Sequence, residues 1–427
     1  MAKTDSQAKA QVYLDHNATT PVAENVKAKL LTWVENWGNP SSIHNSGRGP
    51  KTLLREARDR VARFIGASPL EIVFTSGGSE SNNYALKGFY ETLQNPKPLQ
   101  AANLRRRFLV SSVEHPSVMK TLEYLRDRHE SSDGGITVDI IPVSRKGEID
   151  LEIYKKLLGP DVALVSVMYA NNETGNVFPI REMADLAHQS GAIFHSDCVQ
   201  ALGKIPLNVH ELGVDLASFS GHKFYSLKGA GALYIRKGLS LESLIHGGGQ
   251  ERHRRGGTEN ILAIAAMGFM CEQKEAVVEK ASSMQALRDH FEARVLAEIP
   301  CARRTGSESP RLPNTSSLVI PGIDGETLLM SLDMRGFSVS TGAACSSGSP
   351  EPSPVLLAMG LTRKEAQSSL RVGLGWGTTS DDINDFCDAL KQAVTLLREI
   401  NTRAALDESE LATGTFPHEE FSGIQHD

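Results

Sequence analysis

Val214-Asp215-Leu216-Ala217-Ser218-Phe219-Ser220-Gly221-His222-Lys223 is the stretch from which the fold of this chain is read. The apolar run predicts a buried strand, and the lysine that follows it emerges into polar loop surroundings. Loss of water around an ammonium lowers its pKa and makes the amine usable as a nucleophile and a base. A surface lysine after a strand gives the same local sequence, so the company of Lys223 decides between the two.

Upstream, short apolar runs recur at Ile72 to Thr75, Phe108 to Ser112, Thr137 to Pro142, Ala163 to Met168 and Ile193 to Ser196, with helical segments in most of the gaps. Such alternation predicts an α/β fold with a mostly parallel sheet covered by helices. Downstream, Gly231-Ala232-Leu233-Tyr234-Ile235 follows a Gly-rich connection too short for a crossover helix, so it is expected to pair antiparallel and complete a seven-stranded sheet. Two helices, Val26 to Trp37 and about Thr52 to Ile65, precede the sheet. Ile261 to about Leu296 reads as one long helix or two. Ser316 to Ile320, Thr327 to Met334, Ser338 to Ser340, Arg371 to Leu374 and Asp381 to Glu399 then predict a smaller α+β unit. The expected division is a large domain over 18–265, a small one over 1–17 and 266–403, and a mobile tail over 404–427, which has too little apolar content to pack.

Composition narrows the function. Of 427 residues, 40% are hydrophobic and 22% charged, as in soluble globular proteins. Forty-five basic against fifty-one acidic residues give a formal charge of -6, which supplies no field to attract nucleic acid or an anionic membrane. Arg105-Arg106-Arg107 reads as a solvated patch beside a strand. Cysteines at 198, 271, 301, 345 and 387 form no C-x-x-C pair and have no histidine at zinc-finger spacing, so neither a disulfide framework nor a metal site is expected. The first eleven residues lack the apolar core of a secretory signal, and the longest apolar run, Ile261 to Cys271, is too short to span a bilayer. A reducing cytoplasm is the expected compartment.

Two further stretches carry chemistry. Thr75-Ser76-Gly77-Gly78-Ser79-Glu80-Ser81 joins a strand to the helix Asn82 to Phe89, where free N–H groups and the helix dipole favour an anion. It reads as a phosphate cradle or as a plain Gly/Ser turn capping a helix, and it lacks the lysine of a nucleotide-binding P-loop. His195-Ser196-Asp197-Cys198-Val199-Gln200 ends another strand on the same sheet edge. Its Asp197 can hold a pyridinium nitrogen protonated or merely cap a helix. Ligands of open α/β sheets collect at the carboxyl ends of the strands, where these segments and Lys223 converge. A phosphate cradle, a carboxylate for a protonated pyridine and an amine for an aldehyde together describe pyridoxal 5'-phosphate.

From Tyr13 to about Leu397 the chain resembles the class V aminotransferase-fold enzymes, fold-type I PLP-dependent transferases, and among them the cysteine desulfurases and selenocysteine lyases. The resemblance implies that Lys223 is the Schiff-base lysine, that Asp197 pairs with the pyridinium and that Gln200 bonds the cofactor's phenolic oxygen. His115, in Ser112-Val113-Glu114-His115, matches the histidine that stacks on the ring and handles protons. Gly78, Ser79, Ser220 and His222 match phosphate contacts. Thr258, in Arg255-Gly256-Gly257-Thr258, matches a phosphate ligand donated by the neighbouring subunit, which implies a homodimer. Asn172, beside the cofactor, and Arg371 resemble the clamp for the substrate carboxylate, for which a guanidinium offers a bidentate fork.

Cys345 lies in Ser340-Thr341-Gly342-Ala343-Ala344-Cys345-Ser346-Ser347-Gly348-Ser349, small residues that suit a loop carrying a thiol into and out of a pocket. Cys198, Cys271, Cys301 and Cys387 read as packing residues. The implied reaction takes L-cysteine to L-alanine and leaves a persulfide on Cys345 for an unidentified sulfur-acceptor protein. Gly342-Ala343-Ala344-Cys345 is closer to selenocysteine lyases than the loop of many desulfurases, so L-selenocysteine stands as an alternative substrate. A class V transaminase, which needs no Cys345, is the more distant alternative. The family's usual Gly-Arg-x-Thr-Thr reads Gly375-Trp376-Gly377-Thr378-Thr379 here, without the arginine.

Overall fold

The computed structural model describes residues 11–94, 105–128, 135–306, 310–342 and 351–413. Apolar runs with no polar alternation must be covered on both faces, and a helix-flanked sheet does this. In chain order the elements are β1 (Val12–Tyr13), α1 (Glu24–Val34), α2 (Asn45–Ile65), β2 (Ile72–Thr75), α3 (Gly78–Gln94), β3 (Arg107–Ser111), α4 (Pro116–Asp127), β4 (Thr137–Ile141), α5 (Leu151–Leu157), β5 (Val162–Ser166), α6 (Ile180–Ser190), β6 (Ile193–Asp197), α7 (Val209–Leu212), β7 (Leu216–Ser220), β8 (Gly231–Ile235), α8 (Gln250–His253) and α9 (Ile261–Met270). There follow α10 (Lys274–Glu298), β9 (Arg303–Arg304), β10 (Thr315–Val319), α11 (Gly325–Asp333), β11 (Phe337–Ser338), α12 (Pro354–Ala358), α13 (Arg363–Gln367), β12 (Ser369–Gly373) and α14 (Ser380–Thr413).

The seven-stranded sheet has the order β2-β8-β7-β6-β5-β3-β4, and every pairing is parallel except those of β8, which is antiparallel to both neighbours. β5, β7 and β8 are buried at every position. The chain crosses between β8 and β2 so closely that a Cβ on Gly231 would lie 2.6 Å from the Gly77 Cα, which fixes glycine there. Because β8 alone runs backwards, β2 points the same way as β7, and its carboxyl end meets the same edge as those of β3, β5, β6 and β7.

A second core surrounds the sheet β12-β10-β9, with Phe291 of α10, Phe337 of β11 and Phe386 of α14 at its centre. Its β1 comes from the other end of the chain. β1 pairs parallel with β11, Leu14 is fully buried in this core, and Gly373 at the end of β12 accepts from the His16 N–H at 3.0 Å. The segment after β1 is thereby stapled beside the sheet edge where the first core's strands end.

Some local expectations shift. α2 begins at Asn45 rather than near Thr52, although its start contains Gly47, Gly49 and Pro50, because tertiary packing overrides propensity. Of the two readings for Ile261 onward, the structure has two helices, α9 and α10. α14 runs on through Thr413, past the point where the tail was expected to begin. Cys301 is exposed rather than packed, whereas Cys198, Cys271 and Cys387 are buried. The Arg105–Arg107 patch is tied down, not solvated: Arg107 pairs with Asp139 at 3.0 Å and Asp161 at 2.8 Å, and Arg105 donates to the Ser190 carbonyl at 2.5 Å.

β2 is an edge strand, and its free backbone groups would invite pairing with another chain. They are occupied. Glu251 Oε2 accepts from the Phe74 N–H at 2.9 Å, and Arg58 and Arg254 donate to the Ile72 carbonyl. Arg58 and Glu251 form a buried bidentate pair, at 2.7 and 2.5 Å, which also holds Glu251 at a positive φ of 46°. Glu251→Ala leaves the Arg58 charge buried and alone, so it is expected to lower unfolding stability by roughly 3 kcal/mol in denaturant titration. A loss within error of zero would contradict this account of the edge.

Candidate active site

Five strand ends and one visitor from the second sheet build the site. β2 leads into the amino terminus of α3 with Gly78 and Ser79, β3 leads to His115, β5 to Asn172, β6 ends in Asp197 ahead of Gln200, and β7 runs through Ser220 into the single turn Gly221–Lys223. Arg371 reaches over from β12. Gly78, Ser79, His115, Asn172, Asp197, Gln200, Ser220, His222, Lys223 and Arg371 all line one cavity of about 300 Å³. Thr258 is not among the lining residues of this cavity and is exposed. Cys345 lies outside the described residues.

The lysine is held without an anion in contact. Lys223 Nζ donates to the main-chain carbonyls of Asn17 at 2.6 Å and Ala18 at 2.5 Å. Burial pushes its pKa down to about 8, and Arg371 adds to the effect, while Asp15 and Asp197 oppose it. Deeper still, Lys204 is 5% exposed, donates to Gln200 Oε1 at 2.5 Å and is pushed by burial to about 7, with Lys223 and Arg371 contributing. The Gln200 amide is thus oriented, since its Nε2 donates to the Asn17 carbonyl at 2.9 Å.

Opposite the lysine stands the carboxylate. Asp197 is buried, accepts from Asn82 Nδ2 at 2.6 Å and from the Val199 N–H at 2.9 Å. At the α3 amino terminus the backbone is drawn tight: a Cβ on Gly78 would lie 2.6 Å from Val199 Cγ2. Ser220 Oγ beside it is buried with no hydrogen-bond partner among the described residues, as is Arg371 Nε. Arg371 is aimed by Asp15, whose Oδ1 accepts from Nη2 at 2.9 Å, and by the Asn172 carbonyl at 3.4 Å. Burial, helped by Lys223 and Lys228, lowers His222 to about 4, so this ring is neutral, with Nδ1 3.1 Å from Thr19 Oγ1.

A family model described as aminotransferase class-V matches residues 12–386. This chain belongs to that family. Within the class-V aminotransferases it is 42% identical over 395 residues to the cysteine desulfurase IscS of Dictyoglomus turgidum, covering 92% of this chain and 97% of that protein. Among solved structures, a NifS-like protein is 36% identical with a TM-score of 0.82, covering 91% of this chain and 100% of the other. A structure titled SspA in complex with cysteine is 30% identical with a TM-score of 0.72, covering 85% and 98%.

Several residues of this class-V site escaped the sequence reading. Asp15 and Asn17 lie in a stretch that yielded no site residue, yet Asp15 aims Arg371 and the Asn17 carbonyl receives Lys223. Asn82 and Ser117 gave no signal beyond helix propensity and capping. Lys204 follows Gln200 by four positions along a run of turns and gave no local signal. Among the described residues no three or more His, Cys, Asp or Glu side chains are grouped to hold a metal ion, and no helix is long and apolar enough to cross a membrane.

Both lysines, Lys204 and Lys223, titrate below the ordinary ammonium value near 10.5. Between about pH 7 and that value the unfolded chain binds more protons than the folded one, so raising the pH stabilises the cofactor-free fold. Lys204→Met is expected to flatten this rise in denaturant titrations at about pH 7 and about pH 9. A slope identical to wild type would mean that Lys204 does not carry a depressed pKa.

Proposed function

We propose that this chain is a pyridoxal-phosphate-dependent cysteine desulfurase, which converts L-cysteine to L-alanine and leaves the sulfur as a persulfide on Cys345. The observation that carries the reading is the half-buried Lys223, low in pKa and, among the described residues, free of a contacting carboxylate, facing Asp197 across a single cavity. The residues fit the cofactor. The tight Gly78 turn and the unpartnered Ser220 hydroxyl suit a phosphate, and Asp197 suits a cationic ring nitrogen. When bound, the cofactor supplies an aldehyde for amine exchange and a ring that takes up negative charge from the substrate's α carbon.

The roles follow residue by residue. Gly78, Ser79, Ser220 and His222 would hold the phosphate, Asp197 would keep the ring nitrogen protonated, Gln200 would donate to the phenolic oxygen, and His115 would lie against the ring. Arg371 and Asn172 clamp the substrate carboxylate. Lys223, whose amine loses its proton at about pH 8, would hold the cofactor aldehyde and, once released, accept the substrate's α proton at Nζ. The Cys345 thiolate then attacks the substrate sulfur: a sulfur–sulfur bond forms, the carbon–sulfur bond breaks, and its electron pair and a proton make the methyl group of alanine. Cys198 is no substitute, because complete burial raises its thiol pKa far above the usual range.

Thr258 reaches the phosphate of the neighbouring subunit's site in a homodimer, in keeping with its exposure here. The chain divides into a large domain over 18–265 and a small one over 1–17 and 266–403. A separate buried core within the smaller unit supports that division, although α9 and the buried Leu312, Val355, Leu356 and Met359 of the later segment pack on the first core. Unpaired cysteines fit a cytoplasmic home, where an acceptor protein takes the persulfide sulfur.

Sulfur departs only to a nucleophile, whereas a selenol is a better leaving group. Cys345→Ala is therefore expected to keep cofactor absorbance and L-cysteine binding, lose nearly all alanine formation from L-cysteine, and lose much less from L-selenocysteine. Wild-type alanine formation from L-cysteine by this variant would overturn the role of Cys345. Turnover of L-selenocysteine with none of L-cysteine by the unaltered protein would replace the desulfurase with a lyase.

A further inference from the structure

His115 caps the amino terminus of α4, and its contacts determine which ring nitrogen carries the proton. The Ser117 backbone N–H donates to His115 Nδ1 at 3.1 Å. A backbone amide nitrogen has no lone pair to offer, so Nδ1 must be the acceptor and the neutral ring carries its hydrogen on Nε2. The Ser117 hydroxyl lies 2.8 Å from the same Nδ1.

That hydroxyl is itself directed. Asn82 Nδ2 donates to Ser117 Oγ at 2.8 Å and to Asp197 Oδ2 at 2.6 Å, so both hydrogens of the amide are spent. The reverse amide orientation would set Asn82 Oδ1 against the Asp197 carboxylate at hydrogen-bond distance, oxygen on oxygen, and is excluded. Ser117 Oγ, having received one hydrogen from Asn82, turns its own toward His115. Each link from Asp197 to the imidazole therefore has one direction only.

We propose that Ser117 and Asn82 are positioning residues that hold neutral His115 with its proton on Nε2, so that the ring offers the cavity an N–H donor and substrate proton removal falls to Lys223. The proposal rests on the reading of this cavity as the cofactor site. His115 lines the cavity, and its Nε2 has no hydrogen-bond partner among the described residues. To act as a base through Nε2 the ring would first have to move its proton to Nδ1, against two donors already aimed there. Lys223 faces the same space with a free amine available above about pH 8. The charged groups acting on His115 are Asp197, which favours its cation, and Lys223, which opposes it; enclosure by the protein is the larger influence and lowers its pKa.

The test is nitrogen-15 NMR of the full chain labelled at histidine, cofactor-free and cofactor-loaded, with the His115 signals identified by their loss in His115→Gln. The expected spectrum has a protonated Nε2 and an unprotonated Nδ1 in both forms near neutral pH. Ser117→Ala keeps the backbone donor but removes the hydroxyl, so it is expected to raise the pH of imidazolium formation by roughly half a unit to one unit, and Ser117→Thr to restore it. A proton on Nδ1 in the unaltered protein, or a titration unmoved by Ser117→Ala, would overturn the proposal while leaving L-cysteine turnover as it was. Absence of L-cysteine turnover alongside the expected spectra would instead count against the desulfurase reading.

Discussion

An ammonium half-withdrawn from water, with main-chain carbonyl oxygens as its contacts, is the constraint on which the rest of this molecule hangs. Lys223 is held by the Asn17 and Ala18 carbonyls, which accept its hydrogens without neutralising its charge, and the cost of that burial keeps the amine close to release. A carboxylate in the same place would have fixed the proton. The nearby acids are engaged elsewhere: Asp15 on Arg371, and Asp197 on Asn82 and the Val199 N–H.

The carbonyls themselves are set in place by the second core. The segment from Val12 to His16 pairs with β11 on one side and meets the end of β12 on the other, with Leu14 buried between. Arg371 lies on β12, two residues before the Gly373 that bonds His16. One short stretch of chain therefore positions both the cation for a substrate carboxylate and the oxygens around the reactive amine. The first core provides the opposing wall through strand ends that share one edge. Packing in either core is felt in the cavity, because both deliver groups to it on rigid elements.

The fold was legible because strands covered on both faces read as uninterrupted apolar runs, and all seven strands of the large sheet lie at the runs seen in the sequence. The antiparallel β8 was legible from the length of one connection. β1 was not, since two residues carry no period and their partner stands near the other end of the chain. At the site, residues at strand ends could be read by their own chemistry, as Lys223, Asp197 and the Gly78 turn show. Asn82 and Ser117 act only through others, across separations of 115 and 35 positions, and no local pattern reveals such a link. Lys204 is similar: its charge matters because of where Lys223 and Gln200 lie.

Two lysines of lowered pKa stand near one another, and only one of them can be the amine that meets the cofactor. Borohydride reduction of the protein loaded with pyridoxal 5'-phosphate, followed by peptide mass mapping, reads this directly. The account predicts one phosphopyridoxyl group, on Lys223. Label on Lys204, or on no lysine of this chain, would contradict it.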